Sequence, residues 1–343
     1  MSTCRSFDVI VVTHNHAQTL PACLRAAAAL TPPPQTLTVI DNASGDDSAG
    51  AAERFRGQLP LRIVRLDRNT GFAAAVNRAL TTTRSPWVLL LNPDCALGAD
   101  YVSKLFDALD TMGEQAASTG ALTGKLVRAS GANLVATPVL DAAGMIVTPS
   151  GRHFDRGAGE PDDGRYSRLA WVFGGTGAAT LLRRAALDDV RYADGQFLPE
   201  SFFAFREDAE LAWRLQHRGW SCLYVPSATG AHRRGLQPER GRRRQNPAIR
   251  RHSVKNRFLL RLHCADLRWH LACFPWWLVR DLLVVGACLT VEPRSLPALA
   301  AVWSHRRDAL ARRRWVLGRR RPGGQRATRW FRTGGWVDEV DET

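Results

Sequence analysis

Two adjacent carboxylates, Glu207 and Asp208, stand in the middle of residues 202–220, FFAFREDAELAWRLQHRGW. Phe202, Phe203 and Phe205 precede them. An apolar wall raises a carboxylate pKa by penalising its charged form, and a neighbouring acid raises it further. A carboxylate in that setting is suited to take a proton near neutral pH. Acids at this place also suit the N-terminus of a helix, where they complement the dipole. Leu211, Trp213 and Leu215 supply an apolar face at helical spacing, and Gly219 fits the stop. The acids are expected just before this short amphipathic helix.

Further polar groups cluster at the ends of apolar runs. The runs are 7–13 (FDVIVVT), 37–41 (LTVID), 61–66 (LRIVRL) and 87–91 (WVLLL). Helix-like stretches at 18–30, 46–56 and 72–83 lie between them. Strand and helix alternating at this spacing predict a Rossmann-like α/β fold with a mostly parallel central sheet flanked by helices. In such sheets ligands bind beyond the carboxyl ends of the strands. Those ends read Thr13-His14-Asn15, Asp41-Asn42, Asp67-Arg68-Asn69 and Asn92-Pro93-Asp94, which predicts one shared crevice. Residues 111–170 read as strands with a long polar loop at 150–166, in which Arg152, Arg156 and Asp163 are weak candidates for substrate contact. Gly174 and Gly175 form a turn against an apolar strand in 171–187.

The charge is unevenly placed. Residues 1–232 carry a net −1, residues 233–332 a net +20 and residues 333–343 a net −4. The basicity therefore belongs to one C-terminal segment, and it implies an anionic partner. Residues 252–267 read as a basic amphipathic helix. Residues 269–289, WHLACFPWWLVRDLLVVGACL, are apolar and Trp-rich, but Pro275, Arg280 and Asp281 make a poor transmembrane span. An interfacial helix or a re-entrant hairpin fits better, and a helical pair packed on the main domain is the plainer alternative. The seven cysteines show no CxxC pair and read as thiols in a reducing cytosol. No signal peptide is visible ahead of the first strand-like run. Three units are expected: 1–235, a basic helical extension over 236–332, and an acidic tail over 333–343.

Taken in order, VIVVTHNHAQTL, IDNASGDDS, NTGFAAAVNRAL, WVLLLNPDC, FGGTGAATLLRR, FREDAELAWRLQHRGW and the histidine of ATGAHRRG resemble the inverting family-two glycosyltransferases. The resemblance covers about residues 7 to 260 and is strongest to non-processive bacterial rhamnosyltransferase-like enzymes. It implies the GT-A fold and transfer of a sugar, rhamnose first, from a dTDP- or UDP-sugar. By the resemblance Asp41 meets the pyrimidine, and Thr13, His14 and Asn15 line the base and ribose. Asn69, Gly71, Phe72, Asn77, Asn92 and Gly175 then frame the nucleotide-sugar pocket. Asp94 and His232 would hold Mg2+ or Mn2+, hard cations that bridge phosphate oxygens. Asp208 would be the general base, with Glu207 tuning it or positioning the acceptor, while Glu210, Trp213 and Arg214 read as structural. His232 also reads as an exposed histidine in a basic loop. His14 and His16 would point to opposite faces of the strand end and are not expected to form a metal site.

The basic Trp-bearing segment suits an enzyme at the inner face of the cell membrane, working from the cytoplasm on a glycan or polyprenyl-diphosphate-linked acceptor. Arginines beside an apolar face favour an anionic lipid surface. A nucleic-acid partner would need interleaved aromatic platforms, so none is expected. A nucleotidyltransferase would carry a glycine-rich loop with lysine after the first strand, which THNHAQTL lacks. A processive synthase would carry QxxRW, but Gln325 stands one residue too far from Arg329-Trp330. The remaining alternative is a catalytically inactive membrane scaffold, which the retention of Asp94 and Asp208 argues against.

Overall fold

The computed structural model describes residues 5–234, 247–321, 327–331 and 337–340. Strand β1 (Phe7–Thr13) is buried at every position, as expected of a run covered on both faces. It is followed by α1 (Leu20–Ala28), β2 (Thr36–Asp41), α2 (Ser48–Glu53), β3 (Leu61–Arg65), α3 (Phe72–Leu80) and β4 (Trp87–Leu91). β1 pairs in parallel with β2 and β4, and β2 with β3. A short β5 (Cys95–Leu97) and α4 (Tyr101–Asp110) lead to the long β6 (Thr119–Ser130) and β7 (Val135–Ala142). The small hairpin β8 (Met145–Val147) and β9 (His153–Asp155) comes next, then β10 (Ala170–Val172), β11 (Ala179–Arg183) and α5 (Arg184–Val190). Helix α6 (Glu207–Arg218) and the long β12 (Ser221–His232) complete this part.

The sheet runs β3-β2-β1-β4-β11-β6-β12-β10, with β5 on β12 and β7 on β6. Antiparallel β11 joins β4 to β6, and β6 runs parallel to β12. One apolar cluster covers each face: Leu24, Phe106 and Leu105 lie in the first, Val76, Leu187 and Leu215 in the second. β12 shifts register between Val225 and Thr229, which re-aims its last residues. Beyond that shift His232 stands opposite Cys95 of β5, next to Asp94.

The C-terminal helices are α7 (Pro247–Cys264), α8 (Leu267–Ala272), α9 (Phe274–Thr290), α10 (Leu296–Ser304) and α11 (Arg306–Gly318). Asp266 caps α8 by accepting from the Trp269 N–H at 2.8 Å. A third apolar cluster joins Met145, Phe173, Phe202 and Trp213 to Leu259, Leu260, Trp269 and Trp330. The helices therefore share a core with the sheet. The basic amphipathic helix expected at 252–267 is instead α7, and many of its charges are buried: Arg250 pairs with Glu292 at 2.8 Å, and Arg257 with Asp281 at 3.1 Å. Its partners lie on later segments, so local charge pattern could not reveal them.

The apolar segment behaves differently. On α9 only Cys288 is buried, while Phe274, Trp276, Val279, Leu282 and Leu283 face outward. Among the described residues no single helix is long and apolar enough to cross a membrane. α9 and the segment 293–304 pass that test only as a pair bent by 111°. Part of the acidic tail forms β13 (Asp338–Glu339), which adds an antiparallel edge to β10. The six described cysteines, Cys23, Cys95, Cys222, Cys264, Cys273 and Cys288, are free and buried.

Candidate functional site

The polar strand ends form one hydrogen-bonded network. The Asn42 side chain donates to Asn69 Oδ1 at 3.0 Å and accepts from the Thr70 N–H at 2.9 Å. Asn69 Oδ1 also accepts from the Gly71 N–H at 2.9 Å. His14 Nδ1–H donates to the Asn42 carbonyl at 3.0 Å, which leaves its ring outward. Asn15, at φ 62°, accepts from the Gly45 N–H at 2.7 Å through its side chain. Asp41 Oδ1 accepts from Ser44 N–H at 3.1 Å, while the Thr13 hydroxyl is buried without a partner among the described residues. These residues are brought together as the sequence suggests.

Gly71 is needed where it stands. Its φ is +85°, and a Cβ there would meet the Phe203 carbonyl oxygen at 2.6 Å. The following Phe72 starts α3 and lines an apolar pocket with Gly174, Gly175, Gly177, Glu207 and Asp208. Gly175 packs tightly on Thr180. Asn77 is not in this pocket. Its amide donates to the Leu198 carbonyl at 2.8 Å and Glu200 at 3.0 Å, and its oxygen accepts from Phe197 and Leu198. The expected ligand contact is thus replaced by a clamp on the 197–200 segment. Asn92 acts through its backbone, its carbonyl accepting from Cys95 N–H at 3.1 Å.

Asp94 and His232 meet, with His232 Nε2 at 3.3 Å from Asp94 Oδ1. His232 Nδ1–H donates to Asp141 Oδ2 at 2.7 Å, which fixes the ring and directs Nε2 at Asp94. Arg234 binds Asp141 Oδ1 at 2.8 Å and also pairs with Asp155. Burial lowers the His232 pKa, but the bonds to Asp141 and Asp94 outweigh it and lift the imidazole to about 9. Negative potential at this point already attracts a proton. Among the described residues no three His, Cys, Asp or Glu side chains are arranged to hold a metal. A carboxylate oxygen and an imidazole nitrogen in contact would nevertheless suit a divalent cation whose other ligands were phosphate oxygens and water. The same cleft is bounded by Asn15, Asp46, Arg233 and Arg234.

Glu207 and Asp208 are the first turn of α6 rather than lying before it. Three non-glycine residues just ahead of them, Phe203, Phe205 and Arg206, have φ of 65°, 74° and 70°. Such backbone is strained and needs support from its surroundings. That support is Asn256 of α7, whose Nδ2 lies 2.9, 2.8 and 2.8 Å from the carbonyls of Phe202, Ala204 and Phe205. Asp208 accepts from Gly177 N–H at 3.2 Å and Ala209 N–H at 2.7 Å. Burial and the charge of Asp155 still hold its pKa above the usual carboxylate range. Burial, then Asp208, pushes Glu207 up to about 8. The Glu207 Oε2 atom has no partner among the described residues. Asp155 thus links this pocket electrostatically to the Asp94–His232 cluster.

The rest of α6 is buried on nearly every side, its polar face included, because α7 covers its outer face. Glu210 and Arg214 pair at 2.8 Å in full burial, as a structural reading requires. Arg214 also donates to the Phe197 carbonyl at 2.6 Å, tying down the segment before the catalytic candidates. Gly219 stops the helix in the left-handed conformation at φ 81°. Two loop candidates are placed elsewhere. Arg156 is buried between the rings of Tyr166 and Tyr224, and Asp163 is an exposed partner of Arg165. Sequence reading missed Asp141, Asp155 and Asn256. His232 and Asp141 are 91 residues apart, so only the register of β12 could have joined them.

This architecture is that of the GT-A glycosyltransferases, with the polar site at the strand ends and an acid pair opposite. Residues 8–134 match Glycosyl transferase family 2, and the chain carries a glycosyltransferase domain of that family. An N-acetylglucosaminyl-diphospho-decaprenol L-rhamnosyltransferase of Mycobacterium tuberculosis is 26% identical over 291 residues, spanning 77% of this chain and 88% of the relative. S. aureus TarS 1–349, solved in complex with UDP-GlcNAc, superposes with a TM-score of 0.53 at 17% identity, covering 98% of this chain and 100% of that one. The mannosyltransferase PcManGT from Pyrobaculum calidifontis, solved with GDP-Man and Mn2+, gives a TM-score of 0.51 at 18% identity over 91% of this chain and 85% of that one.

Proposed function

We propose that the chain is an inverting, metal-dependent glycosyltransferase. It moves a sugar, L-rhamnose first, from a dTDP- or UDP-sugar to a hydroxyl of a lipid-linked glycan in cell-envelope polysaccharide synthesis. The carrying observation is Asp208, a half-buried carboxylate oriented by two backbone N–H groups, with its pKa raised beside a cluster able to hold a cation. The rhamnosyl and lipid-linked parts draw on the name of the mycobacterial relative.

In this reading Asp41, Thr13, His14 and Asn15 hold the nucleotide. Asp94 and His232 hold Mg2+ or Mn2+, which when bound neutralises charge on the diphosphate. Asp208 accepts the proton of the acceptor hydroxyl as that oxygen bonds to the anomeric carbon. The bond from that carbon to the diphosphate breaks on the opposite face, which inverts the centre. Glu207 stays protonated below about pH 8 and so adds no second negative charge beside the base. Gly71 and Asn256 fix the turn that aims both acids. Residues 1–235 form the catalytic unit, and the later helices bring it to the cytoplasmic face of an anionic membrane as a peripheral protein. Exposed Trp276, Leu282 and Leu283 would enter the interface.

The test is hydrolysis and transfer with dTDP-rhamnose, UDP-galactofuranose, UDP-GlcNAc, UDP-glucose and GDP-mannose, with and without Mn2+. Turnover of one pyrimidine donor, dependent on metal and lost in Asp94→Ala, is the expected result. No turnover with any donor, with or without Mn2+, would overturn the reading.

A further inference from the structure

We infer that the chain has a second anion site, on the acceptor side of Asp208, that holds an organic diphosphate bearing an apolar tail; this rests on the lipid-linked acceptor proposed above. The site is a cluster of guanidinium groups between β9, α7 and α9. Arg257 and Arg261 share one carboxylate, Asp281, with Arg257 Nη2 at 3.1 Å from it. Arg257 Nη2 also donates to the Ser150 carbonyl at 3.2 Å. Arg152 lies over the Phe154 ring at 4.2 Å. Arg280 has its Nε buried without a partner among the described residues. Neither Arg152 nor Arg280 has a carboxylate partner among those residues, and after burial it is Arg280 that most depresses Arg152. Arg257 is lowered to about 10 by burial, with Arg261 and Arg280 acting against Asp281. Arg280 acts on both Arg152 and Arg257, and among the described residues Asp281 pairs only with Arg257 and Arg261, so the cluster holds more positive than negative charge and an anion would relieve the repulsion.

A second observation points to the same place. His153 and Asp155 alternate on β9 and so share a face. Asp155 reaches the donor side through Arg234. His153 lies among Phe173 and Trp213, with ring centroids 5.9 and 6.1 Å away, and both its ring nitrogens are buried without a partner among the described residues. Burial, then Arg206 and Arg257, holds it neutral, which leaves one N–H with no protein acceptor. A phosphate oxygen would satisfy it.

The far side of the cluster is apolar. A Cβ on Gly151 would touch Trp269 at 3.4 Å, and Arg261 lies over the Trp277 ring at 5.3 Å. These rings begin the face that exposes Leu271, Phe274, Trp276, Val279, Leu282 and Leu283. These contacts make a chain: Asp155 acts on Asp208, its β9 neighbour His153 feels Arg257, and Arg261 lies over Trp277 of the apolar α9. A sugar linked through diphosphate to a lipid has the same order: hydroxyl, charge, hydrocarbon. The planar forks of arginine suit phosphate oxygens.

The experiment is calorimetric binding of geranyl diphosphate to the full chain in EDTA, with and without saturating dTDP and UDP, and with geraniol and inorganic pyrophosphate as controls. The wild type should bind geranyl diphosphate at least tenfold more tightly than either control. Arg152→Gln/Arg280→Gln should lose at least tenfold, Asp94→Ala nothing. If the double variant does not fold, Arg152→Gln alone carries the comparison, with at least a threefold loss expected. Absent binding, displacement by nucleotide, equal binding of pyrophosphate, or full binding by the variant would each overturn the inference. Because the readout needs neither metal nor turnover, it fails separately from the transferase reading, which donor hydrolysis tests.

Discussion

The strand ends of the N-terminal half and the outer faces of α8 to α10 meet their surroundings in opposite ways. At the strand ends, polar groups are bonded to one another: Asn42 to Asn69 and Thr70, His14 to Asn42, His232 to Asp141. On α9 and α10, large apolar side chains are exposed, Leu282 at 63% and Trp303 at 68%. The first region holds its polar groups in fixed positions. The second is ordered but leaves its hydrophobic free energy unrealised in water. One rigid body therefore presents two kinds of solvent contact, and α7 joins them through Asn256 and Arg257.

The sharpest way to break this comparison is at the acid pair. Asp208→Asn should lower kcat by about 10²–10⁴-fold with donor KM little changed, read by product formation. An unchanged kcat would remove Asp208 from the proton transfer. The next effect is on stability against pH. Glu207 titrates near 4.5 in the unfolded chain and near 8 when folded. The folded state then holds a proton that the unfolded state has lost, so stability is fully present below about pH 4.5 and falls as pH rises to about 8. Glu207→Gln should flatten that fall in urea titrations across this window, and an unaltered slope would refute the assignment.

Asn256→Ala tests the link between the regions. It removes the Asn256 amide from the carbonyls of Phe202, Ala204 and Phe205, of which Phe202 keeps the Ala204 N–H, and this should cost about 1–3 kcal/mol in denaturant unfolding. The turnover of donor should fall with it, while Asp94-dependent metal binding should persist. The smallest effect lies on the outer face. Leu282→Ser with Leu283→Ser should reduce partition onto anionic vesicles by about tenfold, or roughly 1.4 kcal/mol, because an interface covers only part of each side chain. Turnover of a water-soluble acceptor should not change. Equal flotation of variant and wild type would leave the apolar face without a membrane role.

The parallel half was legible because its physics is local. β1 from Val9 to Val12 and β4 throughout are buried on both faces and read as unbroken apolar runs, and their polar ends announce the crevice. Glu207 and Asp208 were visible as a pair, and Gly219 as a stop. What was hidden depends on distant chain segments meeting. Asp141 gives no local sign that it orients His232. Asn77 sits in a recognisable run, yet its amide is taken up by residues 197–200. The charges of α7 look solvated until Asp281 and Glu292 of later segments are brought against them.

β13 changes how the helical extension should be thought of. After α11 the chain returns and lays Asp338–Glu339 on β10, with Arg168 meeting Glu339 at 3.2 Å. The helices leave the sheet from β12 and come back to it at β13, both neighbours of β10. Mechanically they form a handle fixed at two points rather than a tail hung from one. On the proposed membrane reading, a pull on that handle by a lipid surface would be resisted at both roots, and the sheet would follow the helices. The same returning strand shields an otherwise open edge with acidic residues, which discourages copies of the chain from pairing edge to edge.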